Sequence, residues 1–128
     1  MECLLDTNAL LWIVTDDVQL SKKARKIFLD EENEIFISVA SLWEIAIKVS
    51  LKRLNLGQTL NEFYIRHIVG NKIRLMDIKV EHLAELEYLE FHHRDPFDRL
   101  IISQAIVEKI HVLSKDKVLS KYPIKRIW

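Results

Sequence analysis

Cysteine is nearly absent from this sequence, which narrows the classes of protein to which the chain can belong. Its single cysteine, Cys3, cannot form an intramolecular disulfide, so a disulfide-stabilised secreted scaffold is excluded. Because Cys3 lies in an apolar stretch, we expect a small buried hydrophobic side chain in a reducing compartment. The cytoplasm is the simplest assignment.

Long apolar runs are also missing. No run approaches the ~20 residues that a helix needs to cross a bilayer. The opening residues, Met1-Glu2-Cys3, do not form a basic leader followed by an apolar signal segment. We therefore expect neither secretion nor insertion into a membrane.

The chain also lacks an excess of positive charge, since 19 basic residues are balanced by 19 acidic ones. This balance argues against a uniformly basic surface for nucleic acid, although an acidic cluster would cancel basic residues placed around it. RNA therefore remains open as a partner. Two basic groups are interpreted as solvated helix faces that could also follow phosphates: Lys22, Lys23, Arg25 and Lys26, and then Lys48, Lys52 and Arg53.

Glycine and proline occur only twice each in 128 residues, and the chain is expected to form one domain over residues 1–128 with a substantial core. Short β-type runs alternate with longer helical stretches, a pattern typical of an α/β fold with a mostly parallel sheet. The predicted strands are residues 2–5, 35–38, 73–75, 112–113 and 125–127. The predicted helices are residues 9–14, 21–30, 39–51, 60–69, 80–89 and 96–108.

Four carboxylates stand where predicted strands end or helices begin. Asp6 follows the first strand, Glu44 comes shortly after the second, Asp98 opens the last long helix and Asp116 closes the fourth strand. Because the carboxyl ends of parallel strands share one edge of a sheet, these positions are expected to converge. The convergence predicts one acidic site.

Each carboxylate also has a local explanation. Ser41 and Glu44 have the spacing of a capping box, and Asp95 suits the N-cap of a helix in which Asp98 faces the dipole. Asp6 and Asp116 could each stabilise a polar turn. Taken singly these explanations are the better ones, but four independent coincidences at one edge are a weaker account than a shared site.

Carboxylate oxygens are hard ligands suited to Mg²⁺ or Mn²⁺, and the absence of paired histidine or cysteine ligands argues against structural zinc. A cluster of carboxylates without a cation would repel itself, so its chemical use is expected to be metal-dependent hydrolysis of phosphodiesters by water. Around it, four side chains are candidates to hold ligands or phosphate oxygens: Thr7, Asn8, Arg99 and Ser114.

Other polar and aromatic residues are interpreted as structural. The adjacent pair His92 and His93 lacks the spacing of a metal-binding pair and is assigned to a loop. Arg99 and Gln104 fall outside the apolar face of their helix and are expected at its exposed side or rim. Trp12 and Trp43 have apolar helical neighbours and are expected to pack in the core or an interface.

Four segments together resemble PIN-domain ribonucleases: residues 4–12, 41–45, 95–101 and 113–116. More narrowly, the length and the ending at residues 122–128 resemble VapC toxins of type II toxin-antitoxin modules. The resemblance implies a three-layer α/β/α sandwich whose acidic quartet, Asp6, Glu44, Asp98 and Asp116, binds one or two Mg²⁺ or Mn²⁺ ions and catalyses RNA cleavage. It also implies a cognate antitoxin and a homodimer as partners. The alternatives are an RNA-binding or interaction module of this fold without turnover, and a nuclease directed at DNA.

Overall fold

The computed structural model describes residues 1–128 and contains one five-stranded parallel sheet. The strands are β1 (Glu2–Leu5), β2 (Glu34–Ser38), β3 (Arg74–Met76), β4 (His111–Leu113) and β5 (Arg126–Ile127). They lie in the order β3-β2-β1-β4-β5, and all four neighbouring pairs are parallel. Since Leu5 pairs with both Ile37 and Leu113, the three central strands end side by side.

Six helices connect the strands, together with one π-helical and one 3₁₀ segment. The helices are α1 (Thr7–Val14), α2 (Lys22–Leu29), α3 (Val39–Ser50), α4 (Leu60–Phe63), α5 (Val80–Tyr88) and α6 (Pro96–Glu108). The π-helical segment Tyr64–Val69 continues α4, and the 3₁₀ helix Lys117–Lys121 follows β4. None of the helices has the length and apolar character that a bilayer-spanning segment requires.

The core is divided between the two faces of the sheet, as the alternation of side chains along a strand requires. From β1, Cys3 and Leu5 enter one apolar cluster, whereas Leu4 enters the other. The first cluster is closed by side chains of α1 to α4, and the second by those of α6 and the 3₁₀ helix. The predicted α/β/α sandwich is therefore confirmed.

Cys3 is a free, fully buried thiol, as predicted for a small core side chain. Burial raises the pKa of this thiol to about 11, so the thiolate that would make it reactive is disfavoured. Its role is packing.

Every predicted strand and helix is present, with ends displaced by one or two residues, but two local predictions are wrong. Ser41 and Glu44 form no capping box, because α3 begins earlier, at Val39, and Ser38 is its N-cap, accepting a hydrogen bond from Ala40 N at 3.0 Å. The single helix predicted over residues 60–69 changes to π-helical geometry after Phe63.

Candidate functional site

The four predicted carboxylates are carried by the carboxyl edge of the three central strands and by the start of α6. Asp6 directly follows β1, Glu44 lies in α3 after β2, and Asp116 lies three residues beyond β4. Asp98 comes from the first turn of α6. The structure therefore brings together groups from four separate parts of the chain.

Asp6 is the N-cap of α1 and is almost completely buried. Its Oδ1 accepts a hydrogen bond from Ala9 N at 2.7 Å. Burial raises the pKa of Asp6 to about 6; hydrogen bonds from Ser114 and the Ala9 amide lower this pKa, and the negative charges of Asp116 and Glu44 raise it. The pKa of Asp6 is thus raised in part by both neighbouring carboxylates.

Asp98 is partly buried, with 26% of its side chain exposed. The pKa of Asp98 is raised to about 7, chiefly by burial and also by the charges of Asp95, Asp6 and Glu44, while His93 acts to lower it. Asp95 itself is the helix cap that the sequence predicted, because its Oδ1 accepts hydrogen bonds from Phe97 N at 2.8 Å and Asp98 N at 3.2 Å.

His93 lies in the loop before α6, as predicted, but its ring lies among these carboxylates, which was not predicted. Its Nε2 is 2.8 Å from Asp116 Oδ2 and 3.3 Å from Asp98 Oδ2. The potential ligand atoms of the three side chains all lie within 4.8 Å of one another. This position of the ring was not predictable, because a loop residue belongs to no periodic pattern that would set the direction of its side chain.

Glu44 is held by hydroxyl and ammonium groups. Thr7 Oγ1 is 2.7 Å from Glu44 Oε1 and 3.0 Å from Ser41 Oγ. An ionised carboxylate only accepts hydrogen bonds, so Thr7 donates to Glu44. Lys48 Nζ lies 2.8 Å from Oε2, one helical turn further along α3. Both oxygens of Glu44 are therefore engaged.

Of the remaining predicted site residues, Ser114 and Asn8 lie at this edge in different ways. Ser114 is fully buried, hydrogen-bonds to Asp6, and accepts a hydrogen bond from Asp116 N at 3.1 Å. Asn8 is exposed and lines a cleft of about 290 Å³ with Asp6, Trp12, Lys115 and Asp116. A larger cleft of about 470 Å³ contains none of the four carboxylates.

Arg99 was expected at the exposed side or rim of its helix, and this prediction is wrong. The residue is only 6% exposed. Its guanidinium donates to Leu89 O at 3.0 Å, Glu90 O at 2.9 Å and His93 O at 3.1 Å, and lies 3.8 Å from the centre of the Phe91 ring. Arg99 therefore holds the loop that carries His93.

Replacing Arg99 with Ala is expected to lower the free energy of unfolding by about 3 kcal/mol, because three carbonyl groups lose their donor. Arg99→Lys keeps the charge but not the planar fork, so it should also destabilise the protein. Urea unfolding followed by circular dichroism measures both. An unchanged midpoint of unfolding in both variants, together with weaker RNA binding, would instead support a role for Arg99 in contacting phosphate.

Two other expectations about exposure need correction. Gln104 is fully buried between α5 and α6, where its Nε2 donates to Asp77 O at 3.3 Å and lies near the buried His82. Trp12 packs against the core as predicted, but Trp43 is 57% exposed and pairs edge-to-face with Phe97 at 5.1 Å. Trp43 is thus not a core residue, and an interface is left as its predicted environment.

The donor set fits a hard divalent cation better than a softer metal, since it is rich in carboxylate oxygen and contains no thiolate. Burial, and to a smaller extent the negative charges of neighbouring carboxylates, raises the pKa of Asp6 and Asp98, so a bound cation would stabilise their ionised forms. A hard divalent cation would supply positive charge at this site.

Several solved structures share the fold of this chain at low sequence identity. VapBC2 from Rickettsia felis, bound to a DNA fragment from their promoter, has a TM-score of 0.73, 18% identity and coverage of 99% of this chain and 98% of that chain. FitAcB from Neisseria gonorrhoeae has a TM-score of 0.70 and 19% identity, covering 98% and 96%. Mycobacterium tuberculosis VapC20, a Sarcin-Ricin loop cleaving toxin, has a TM-score of 0.66 and 13% identity, covering 93% of each chain.

Curated protein sequences contain no significant match to the chain. A family model, described as PIN domain, matches residues 3–125, which include all four carboxylates and all but the last of the core residues. That match spans nearly the whole sequence and agrees with the fold shared with the solved structures. The protein therefore belongs to the PIN domain family.

Proposed function

We propose that this protein is a metal-dependent endoribonuclease and the toxin component of a type II toxin-antitoxin system. The observation that carries the proposal is the meeting of four carboxylates at one sheet edge, two of them with raised pKa values, in a chain of the PIN family. A module that only binds RNA has no chemical need for such mutually repelling groups.

Within this proposal Asp6, Asp98 and Asp116 hold one or two Mg²⁺ or Mn²⁺ ions, and Glu44 completes the acidic site. A bound divalent ion would offset negative charge that develops on the scissile phosphate and favour attack by water. Asp6 and Asp116 face an open cleft, which admits substrate to this side of the site.

Other side chains fix the geometry of the acidic groups. Thr7 and Lys48 hold Glu44 in one orientation, and Ser114 links Asp6 to the loop that carries Asp116. Asn8 and Lys115 at the cleft are placed to contact a phosphate. Positioning of this kind lets hydrolysis begin without reorganisation of the protein.

The proposed partner is a cognate antitoxin, and a homodimer is the proposed assembly. Support comes from the fold shared with a toxin-antitoxin complex from Klebsiella pneumoniae, at a TM-score of 0.59 and 13% identity. Apolar side chains that the fold leaves uncovered, such as Ile65 and Val69, are available for such contacts. An enzyme that cleaves cellular RNA would act in the cytoplasm.

The function can be tested by incubating the purified protein with total RNA, and separately with single- and double-stranded DNA, in Mg²⁺, Mn²⁺ or EDTA. We expect discrete cuts in RNA that require the metal and no cuts in DNA. Cleavage of DNA alone would make the protein a DNA nuclease. RNA binding without cleavage across structured substrates would favour the non-catalytic alternative.

A further inference from the structure

The ring of His93 connects two acidic side chains that come from different elements. Asp98 belongs to the first turn of α6, and Asp116 is the N-cap of the 3₁₀ helix, where its Oδ1 accepts a hydrogen bond from Val118 N at 3.0 Å. The Nε2 of His93 lies within 3.3 Å of Oδ2 of Asp98 and within 2.8 Å of Oδ2 of Asp116. One nitrogen therefore contacts both carboxylates.

The second ring nitrogen determines which tautomer makes these contacts. Nδ1 of His93 accepts a hydrogen bond from Asp95 N at 3.1 Å. An accepting nitrogen carries no proton, so in the neutral ring the proton is on Nε2. The group that faces Asp98 and Asp116 is thus an N–H donor.

Both backbone polar groups of His93, its N–H and its carbonyl, are hydrogen-bonded to buried side chains. Its N–H donates to the hydroxyl of the buried Tyr122 at 2.8 Å, and its carbonyl accepts from the buried Arg99 at 3.1 Å. The Tyr122 hydroxyl in turn donates to Glu90 O at 2.8 Å. These anchors set the position of the ring independently of any ligand.

We infer that His93 is a positioning residue whose Nε2–H holds Asp98 and Asp116 together so that both can bind the same divalent ion. The inference rests on the metal site of the proposed function. The Nε2–H donates to Asp116 at 2.8 Å and lies 3.3 Å from Asp98, so its positive end offsets part of the repulsion between the two carboxylates. Each carboxylate keeps free lone pairs on its oxygens for an ion. Without the ring, nothing in the structure joins these two side chains.

The geometry argues against His93 as a ligand in its own right. Binding a metal through Nε2 requires an unprotonated Nε2, which moves the proton of a neutral ring to Nδ1. A protonated Nδ1 would face the N–H of Asp95 instead of accepting from it. The ring supports the ligands and does not replace one.

Calorimetric titration of the folded protein with Mn²⁺ tests the inference without using activity. Because loss of a group that orients metal ligands typically weakens affinity 10- to 100-fold, we expect a loss of about 30-fold for His93→Ala and of no more than about threefold for His93→Gln, whose amide can donate from the Nε2 position. His92→Ala is the matched control, since His92 pairs with Glu90 at 2.7 Å outside the acidic site. Circular dichroism establishes that each variant is folded.

A second measurement uses the wild-type protein and does not depend on the variants folding. Nitrogen-15 spectra of the histidine rings identify the tautomer of His93 in EDTA and in saturating Mg²⁺. We expect Nε2 to carry the proton in both. A proton on Nδ1, or loss of the Nε2 proton when Mg²⁺ is added, would overturn the positioning role.

The outcomes separate the inference from the proposed function. Wild-type protein that binds Mn²⁺ and cuts RNA, with a His93→Ala variant of equal Mn²⁺ affinity, overturns the inference alone. Equal losses in His93→Ala and His93→Gln also overturn it, because they show that a donor at this position is not enough. Wild-type protein that binds no Mn²⁺ overturns the proposed metal site and the inference with it.

Discussion

Asp98→Asn is expected to reduce metal-dependent RNA cleavage by about 1000-fold, a loss of roughly 4 kcal/mol of transition-state stabilisation. The same substitution should make the protein more stable in EDTA at neutral pH, by about 2 kcal/mol, because it removes a carboxylate whose pKa burial raises to about 7. Asparagine keeps a side chain of nearly the same size beside His93, which lies 3.3 Å from Asp98. Activity and stability should therefore change in opposite directions.

Asp95→Asn is the matched control for this substitution. It removes one negative charge from the same helical turn, and asparagine is as good an N-cap as aspartate, so α6 should begin unchanged. Asp95 serves the helix and not the proposed metal, so we expect cleavage to stay close to that of the wild type. Initial rates on one RNA substrate, with circular dichroism melting in EDTA, measure both properties.

Equal loss of activity in Asp95→Asn and Asp98→Asn would mean that the start of α6, and not a ligand at Asp98, is what cleavage requires. A less stable Asp98→Asn protein in EDTA would contradict the electrostatic account, since it would show that the charged form of Asp98 stabilises the fold. Asp6→Asn should behave as Asp98→Asn does, because its pKa is raised for the same leading reason.

Sequence patterns were sufficient to predict an alternating α/β fold with a parallel sheet and the meeting of the four carboxylates, whereas the three layers came from the family resemblance. Both depend on strand and helix periodicity and on the rule that parallel strands end at one edge, which places Asp6 and Asp116 beside each other once β1 and β4 are neighbours. Local chemistry was sufficient for the Asp95 cap. The predicted capping box of Ser41 and Glu44 was wrong because Ser38, three residues before Ser41, is the N-cap of α3.

The tertiary surroundings of single polar residues were not predictable. Arg99 and Gln104 occupy the side of α6 that periodicity assigns to solvent, but the loop before α6 and helix α5 cover that side. The ring of His93 lies at the site because Arg99 binds carbonyl groups of the loop before α6 and so holds that loop in place. Such contacts arise between distant segments and have no local pattern.

The free energy of unfolding in EDTA should fall as the pH rises from about 4 to about 7 through the contribution of Asp6 and Asp98. Both pKa values are raised in the folded protein, to about 6 and about 7, above the value of 3.8 that each has when unfolded. The folded state therefore binds more protons than the unfolded state in this range, and stability is greatest below the unfolded pKa.

At about 1.4 kcal/mol for each pKa unit, the two groups should contribute a loss of about 5 kcal/mol across this range. About 3 kcal/mol of this comes from Asp6 and, allowing for solvent screening of the partly exposed side chain, about 2 kcal/mol from Asp98. Other groups also titrate, so the informative quantity is the difference between wild type and Asp6→Asn/Asp98→Asn at each pH. Urea unfolding in EDTA measures it.

We expect the wild type to lose stability relative to the double variant as the pH rises. Saturating Mg²⁺ should remove that loss, since a bound cation stabilises the ionised carboxylates. A difference in stability that does not change with pH would show that the pKa values of these two carboxylates are not raised in the folded protein. A pH-dependent difference that persists in Mg²⁺ would show that the ion binds elsewhere.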